Sequence, residues 1–350
     1  MPITDGTYST QTSGGDQLVT RPVPPRRTRT SVVPSPPRTT GRRTRLLAGV
    51  VGLPLLVAVA VGVTPVATPQ AAEARAQAPT SVTTAHDRLP SGPVVAKQRA
   101  MASQPWVLTW SDEFTGAAGT KPDPTRWVAD VGGHGWGNQQ LEYDTADTRN
   151  VSVDGRGRLA ITASTVTGGR TCWYGACRYT SGRITTKARF SQQYGRLEAA
   201  MMIPCGAGLW PAFWALGTDI DTVGWPGSGE IDVMENIGTQ PYTVHGTVHG
   251  PGYSGGDAIS GSTTTAARLC DGFHVYSATW TPTSITFSVD GRAYATATPS
   301  QTRGNPWVFG HPFFLLLDLA VGGVWPGSPT ASTVFPATLL VDWVRVYRAA

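Results

Sequence analysis

From Trp106 onward, apolar and polar residues alternate in short runs separated by turn residues. Leu159–Ala163, Arg196–Ile203, Tyr276–Trp280, Ser284–Val289 and Leu339–Tyr347 each carry this period of two. Such alternation sends successive side chains to opposite faces, so each run predicts a strand with one buried side. Asp154-Gly155 and Asp290-Gly291 fall between such runs and predict hairpin turns, where Asp-Gly pairs accept positive φ. No long stretch holds a helical period. Residues 105–350 therefore predict a single all-β sandwich or barrel.

The texture before this region is different. Residues 1–45 are rich in Pro, Thr and Arg, lack any hydrophobic period and predict a disordered basic leader. Arg42, Arg43 and Arg45 precede an apolar run from Leu46 to Ala67, and small-residue sites follow at Ala72-Glu73-Ala74, Ala74-Arg75-Ala76 and Ala76-Gln77-Ala78. That is the layout of an export signal, so residues 46–78 are assigned to signal and cleavage region, and the chain is expected outside the cell. Pro54 and Pro65 interrupt the run, which suits a leader better than a stable span. The alternative is a membrane anchor left uncleaved over residues 46–67. Residues 79–104 read as a linker. Membrane contact is expected only through the export signal.

Charge narrows the partners. The formal net charge is +5, but residues 1–103 carry twelve Lys/Arg and four Asp/Glu. The remainder holds sixteen basic and nineteen acidic residues, a net of −3. The basic excess belongs to the leader, so no nucleic-acid partner is expected. Gly (41), Pro (28) and Trp (12) are abundant, which suits a turn-rich β fold with aromatic-lined surfaces. All four cysteines, Cys172, Cys177, Cys205 and Cys270, lie beyond the leader. An even count in an exported chain predicts disulfides. Of three possible pairings, Cys172–Cys177 would close a tight loop and Cys205–Cys270 would tie distant segments, and this one is preferred. No CxxC or Cys/His spacing supports zinc.

The chemistry concentrates in Gly229–Asn236. Polar and apolar residues alternate from Glu230 to Val233, so Glu230 and Asp232 share one face of a strand. Glu235 is five positions past Glu230 and would face away in a regular strand. One extra residue in a β-bulge, placed at Met234, would restore the parity and line up three carboxylates. Acids crowded on one face raise at least one pKa, which is how one carboxyl stays protonated while another ionises. Glycoside hydrolysis with retention needs that pair: Glu230 as nucleophile, Glu235 as acid/base, and Asp232 between them to orient Glu230. A solvated acidic face or a calcium site is the competing reading.

The segment Glu-Ile-Asp-Val-Met-Glu resembles the active-site signature of glycoside hydrolase family 16 in its bulged ExDxxE form, typical of laminarinase-like endo-β-1,3-glucanases. Trp110–Phe114, Gly135–Asn138, Tyr179–Arg183, Tyr194–Glu198, Leu209–Gly217, His249–Gly255, Phe313–Gly323 and Val341–Tyr347 resemble blocks of that family in its order. The resemblance implies a β-jelly-roll (concanavalin-like) sandwich of two antiparallel sheets with a glycan cleft. It implies that Trp210 and Trp214 hold sugars, that Asn138 and Arg183 contact them, and that His249 neighbours the catalytic strand. It implies a secreted, monomeric, retaining endo-β-1,3-glucanase that needs no cofactor for catalysis. A structural Ca²⁺ at Glu113, Gly155 and Asp342 would also follow. Asp318, Val324, Gln140 and Asp144 depart from the usual residues of these blocks and bear on substrate preference. The alternatives are a related hydrolase or transglycosylase on mixed-linkage β-glucan or β-1,3-galactan, and a non-catalytic glycan-binding module. The presence of both glutamates argues against the last.

Overall fold

A computed structural model describes residues 105–166 and 169–350. The leader, the export signal and the linker lie outside the described residues. The alternating runs become two large sheets that close on one core. The first has ten strands. Its main path runs Arg292–Ala297, Ser284–Val289, His274–Thr281, Gly195–Met202, Ala337–Ala349, Leu159–Thr165, Tyr179–Ser181 and Glu142–Asp144. Trp106–Asp112 pairs with Ala337–Ala349, and Val151–Val153 with Leu159–Thr165. The second has seven, in the order Ile259–Thr264, Thr243–His249, Glu230–Glu235, Leu209–Gly217, Phe313–Val321, Arg183–Thr185 and Val128–Asp130. All pairings in the seven-stranded sheet are antiparallel.

Burial follows the sequence pattern where one face is wet. In Leu159–Thr165, Leu159, Ile161 and Ala163 are buried and their neighbours are not. The pattern disappears in Phe313–Val321, where all nine residues are buried. One face of this strand packs into the core and the other floors a cleft, so the strand reads as a continuous apolar run broken by Asp318. Between the sheets, Phe213, Tyr276, Trp280, Phe287 and Phe313 fill the core almost without exposure. The Asp290-Gly291 turn joins Ser284–Val289 to Arg292–Ala297 with both residues at positive φ, as the sequence predicts.

Both preferred disulfides are present, Cys172–Cys177 and Cys205–Cys270. The second staples neighbouring strands, because Cys205 lies just past Gly195–Met202 and Cys270 just before His274–Thr281, and Met201 pairs with His274. Its sequence separation is 65, so it restricts a large part of the unfolded chain. Replacing Cys205 and Cys270 together by Ser is expected to destabilise the fold by roughly 2–4 kcal/mol. The midpoint of a guanidinium unfolding curve reads this, and an unmoved midpoint would refute it.

Candidate active site

Strand pairing decides which side chains meet. Along Leu209–Gly217, Leu216 lies opposite Glu230, Trp214 opposite Asp232, Phe213 opposite Met234 and Ala212 opposite Glu235. Val233 is left without a partner there, and the pairing to Thr243–His249 slips by one residue across the same stretch. The bulge expected from parity is therefore present, but Met234 keeps a partner and Val233 is the extra residue. The reason is packing: the bulge lets Val233 and Met234 both turn into the core, where neither is exposed. Glu230, Asp232 and Glu235 consequently share the outer face and line a cleft of about 320 Å³.

Tryptophans supply donors to these acids. Trp225 Nε1 donates to Glu230 at 3.0 Å, and Trp210 Nε1 donates to Glu235 at 3.1 Å. His249 places Nε2 3.1 Å from Asp232 and 3.7 Å from Glu230. Gly255 N–H donates to His249 Nδ1 at 3.2 Å, which leaves the ring proton on Nε2, facing the carboxylates. Among the described residues, Glu230, Asp232 and His249 are the one side-chain group with ligand atoms close enough for a metal, all within 4.8 Å. With its proton on Nε2, His249 offers no lone pair to a metal there.

Burial pushes the acids up. Glu230 is raised to about 8, first by desolvation and then by Asp232, against the pull of His249, Arg183 and Trp225. Asp232 is also raised to about 8 by desolvation. Glu235 is raised well above the usual carboxyl range by desolvation, with Asp232 next and Glu230 adding. Loss of water around the charged form outweighs every pairwise contribution, so the site holds protons in the neutral range.

The far wall of the cleft is a stack. Arg183 lies 4.6 Å from the Trp214 ring and 4.4 Å from the Trp136 ring, and His134 packs on Trp136 at 4.2 Å. Arg183 also pairs with Asp130 at 3.2 Å. Two aromatic faces thus fix the guanidinium, an arrangement that favours Arg over Lys. Trp136 belongs to a turn in which Gly135, Trp136, Gly137 and Gln139 all have positive φ. The Cys172–Cys177 hairpin braces this turn. Trp173 Nε1 donates to the Gln140 carbonyl at 2.7 Å, Tyr174 Oη donates to the Leu141 carbonyl at 2.6 Å, and Trp173 N–H donates to the Gly133 carbonyl at 2.8 Å. The Trp173 ring occupies the space a side chain at Gly135 would need.

Asn138, Arg183, Trp210 and Trp214 all line the cleft, and His249 sits against its acids. Sequence reasoning missed Trp136 and Trp225, which line the cleft too. Trp225 stands five residues before Glu230, and Trp136 lies inside the Gly135–Asn138 segment. A side chain at Gly155 would meet Ala118, whereas one at Gly157 would lie 3.7 Å from the Glu113 carbonyl oxygen. The Glu113 carboxylate is held by Arg345 at 2.9 and 2.8 Å, leaving its carbonyl as the available donor.

The profile described as glycosyl hydrolases family 16 matches residues 136–345. The chain belongs to this family. It is 42% identical over 268 residues to a beta-glucanase of Rhodothermus marinus, covering 73% of this chain and 90% of that protein. It superposes on the endo-beta-1,3-glucanase of Pyrococcus furiosus with TM-score 0.66 and 41% identity, covering 71% of this chain and 96% of that one. For the laminarinase catalytic domain of Thermotoga maritima the TM-score is 0.65 and the identity 40%, covering 70% and 99%. The protein is thus a family 16 glycoside hydrolase with the jelly-roll sandwich of its neighbours.

Two more acids of this family 16 enzyme, Glu142 and Asp144, are buried near Asp318 and Arg183. Glu142 accepts the Val321 N–H at 2.7 Å, but its second oxygen has no partner, and burial pushes it up to about 8. A carboxyl raised by folding holds its proton more tightly in the folded than in the unfolded chain. Its contribution is therefore unfavourable above the ordinary carboxyl range, growing until pH passes about 8. Glu142→Gln is expected to change stability little at pH 5 and to raise it at pH 9. Thermal unfolding at both values tests this; an equal loss at both would contradict it.

Proposed function

We propose that this protein is a retaining endo-β-1,3-glucanase acting outside the cell. The observation that carries the reading is the bulged strand that sets Glu230, Asp232 and Glu235 on one cleft face beside Trp210 and Trp214. The relatives named as beta-glucanase, endo-beta-1,3-glucanase and laminarinase support the substrate class. Export rests on residues 46–78, which lie outside the described residues.

The roles follow from which acid ionises first. Glu230 has the indole N–H of Trp225 at 3.0 Å and His249 Nε2 at 3.7 Å to favour its charged form, so it yields its proton first and acts as nucleophile. Glu235 keeps its proton and acts as acid. In the first step Glu235 protonates the glycosidic oxygen, the bond from that oxygen to the anomeric carbon breaks, and a Glu230 oxygen bonds to that carbon. In the second, Glu235 takes a proton from water, the water oxygen bonds to the anomeric carbon, and the Glu230 ester bond breaks. Asp232, held by His249, keeps Glu230 oriented. Trp210 and Trp214 offer flat faces for sugar rings, with Asn138 and Arg183 reading hydroxyls at the rim.

No group besides side chains and water enters these steps. A structural Ca²⁺ would be held away from the cleft by Glu113, Gly155 and Asp342. The register setting Asp112 opposite Val344 supports this by bringing the segments of Glu113 and Asp342 together.

The test is digestion of laminarin with product anomers followed by NMR. The initial products are expected as internal-cleavage oligosaccharides with β configuration; α products would exclude double displacement by Glu230. Glu230→Gln is expected to lower kcat by roughly 10³-fold or more while laminarin still binds.

A further inference from the structure

Four carboxyl groups line the cleft, and double displacement uses three of them. The fourth is Asp318. Register places it on a straight row across the sheet: His245, Glu235, Ala212, Asp318, Arg183 and Asp130 lie opposite one another in turn. Paired residues project to the same side, so Asp318 faces the cleft two strands from Glu235, about 10 Å away. Between them stands only the methyl group of Ala212, which leaves a hollow over the sheet. A sugar next to the one at the reacting bond would lie over that hollow.

The two Asp318 oxygens differ. Oδ1 accepts the Trp214 indole N–H at 2.6 Å. Oδ2 has no protein hydrogen bond and is not sealed off in the core, so it opens to the cleft. Arg183, its neighbour on the row, does not reach it within ion-pair distance; that guanidinium is clamped by two indoles and by Asp130. A nearly buried carboxylate with one committed oxygen and one free oxygen is a hydroxyl acceptor waiting for a donor.

We propose that Asp318 is a specificity-determining residue of the cleft: its free oxygen accepts a hydroxyl from the sugar adjacent to the reacting one. This rests on the reading of the protein as a glucan hydrolase. A ring that presents no hydroxyl there leaves a desolvated carboxylate unpaired, and that cost is how a polar site rejects the wrong sugar.

Burial raises Asp318 to about 6, with Arg183 and Trp214 pulling down and Asp130 pushing up. Asp232 on the motif strand and the buried Glu142 and Asp144 also act on it. The ionised form is the better acceptor, so glucan affinity should fall as pH drops through this range.

The experiment measures laminarihexaose binding by calorimetry from pH 4.5 to 7.5 in Glu230→Gln protein, which removes turnover. Affinity is expected to weaken about fivefold toward the acid end. With Asp318→Asn added, which retains an oxygen for Trp214, affinity should be weak and flat across the range. Asp318→Ser serves as a second charge-free variant should the first fold poorly. An unchanged pH step in either folded variant, or parental affinity at pH 7.5, overturns the assignment and leaves Asp318 only the task of orienting Trp214. Loss of glucan binding in the parent itself would instead sink the functional reading, and this assignment with it.

Discussion

One unpaired residue governs the site. Without Val233 bulging out of register, Glu235 would turn into the core and this strand would offer the cleft two acids in place of three. The bulge exchanges a regular ladder for side-chain parity, and it is tolerated because both Val233 and Met234 then bury fully. The hydrophobic core thus stabilises the local backbone that the reaction requires.

Grouping acids in a dry cleft is unfavourable, and the surroundings show how the cost is limited. Three indole N–H groups, from Trp210, Trp214 and Trp225, each donate to a cleft carboxyl. One fixed guanidinium, Arg183, acts on two of them, Glu230 and Asp318, without contacting either within ion-pair distance. These donors moderate the shifts without cancelling them, so the acids remain poised to exchange protons near neutrality.

Much of this was legible in the sequence because strand parity is a local rule. The Glu230-Ile-Asp232 alternation and the five-residue offset to Glu235 require a bulge wherever the strand is paired. Which residue bulges is decided by the two neighbouring strands, and Val233 and Met234 are equally apolar, so the sequence pointed to Met234 and the packing selected Val233. The stack of His134, Trp136, Arg183 and Trp214 draws on three separated segments, so no spacing could announce it. Glu142 was hidden for another reason: nothing in its neighbours along the chain says that it will be buried near Asp318.

The Cys172–Cys177 hairpin braces its turn from outside the sheet that carries the acids. The enzyme's reacting groups and the turn that carries Trp136 are therefore built from separate parts. Descendants of this chain can lengthen, shorten or re-sequence that arm and so acquire tastes for differently decorated polymers, while the inherited reaction machinery stays untouched.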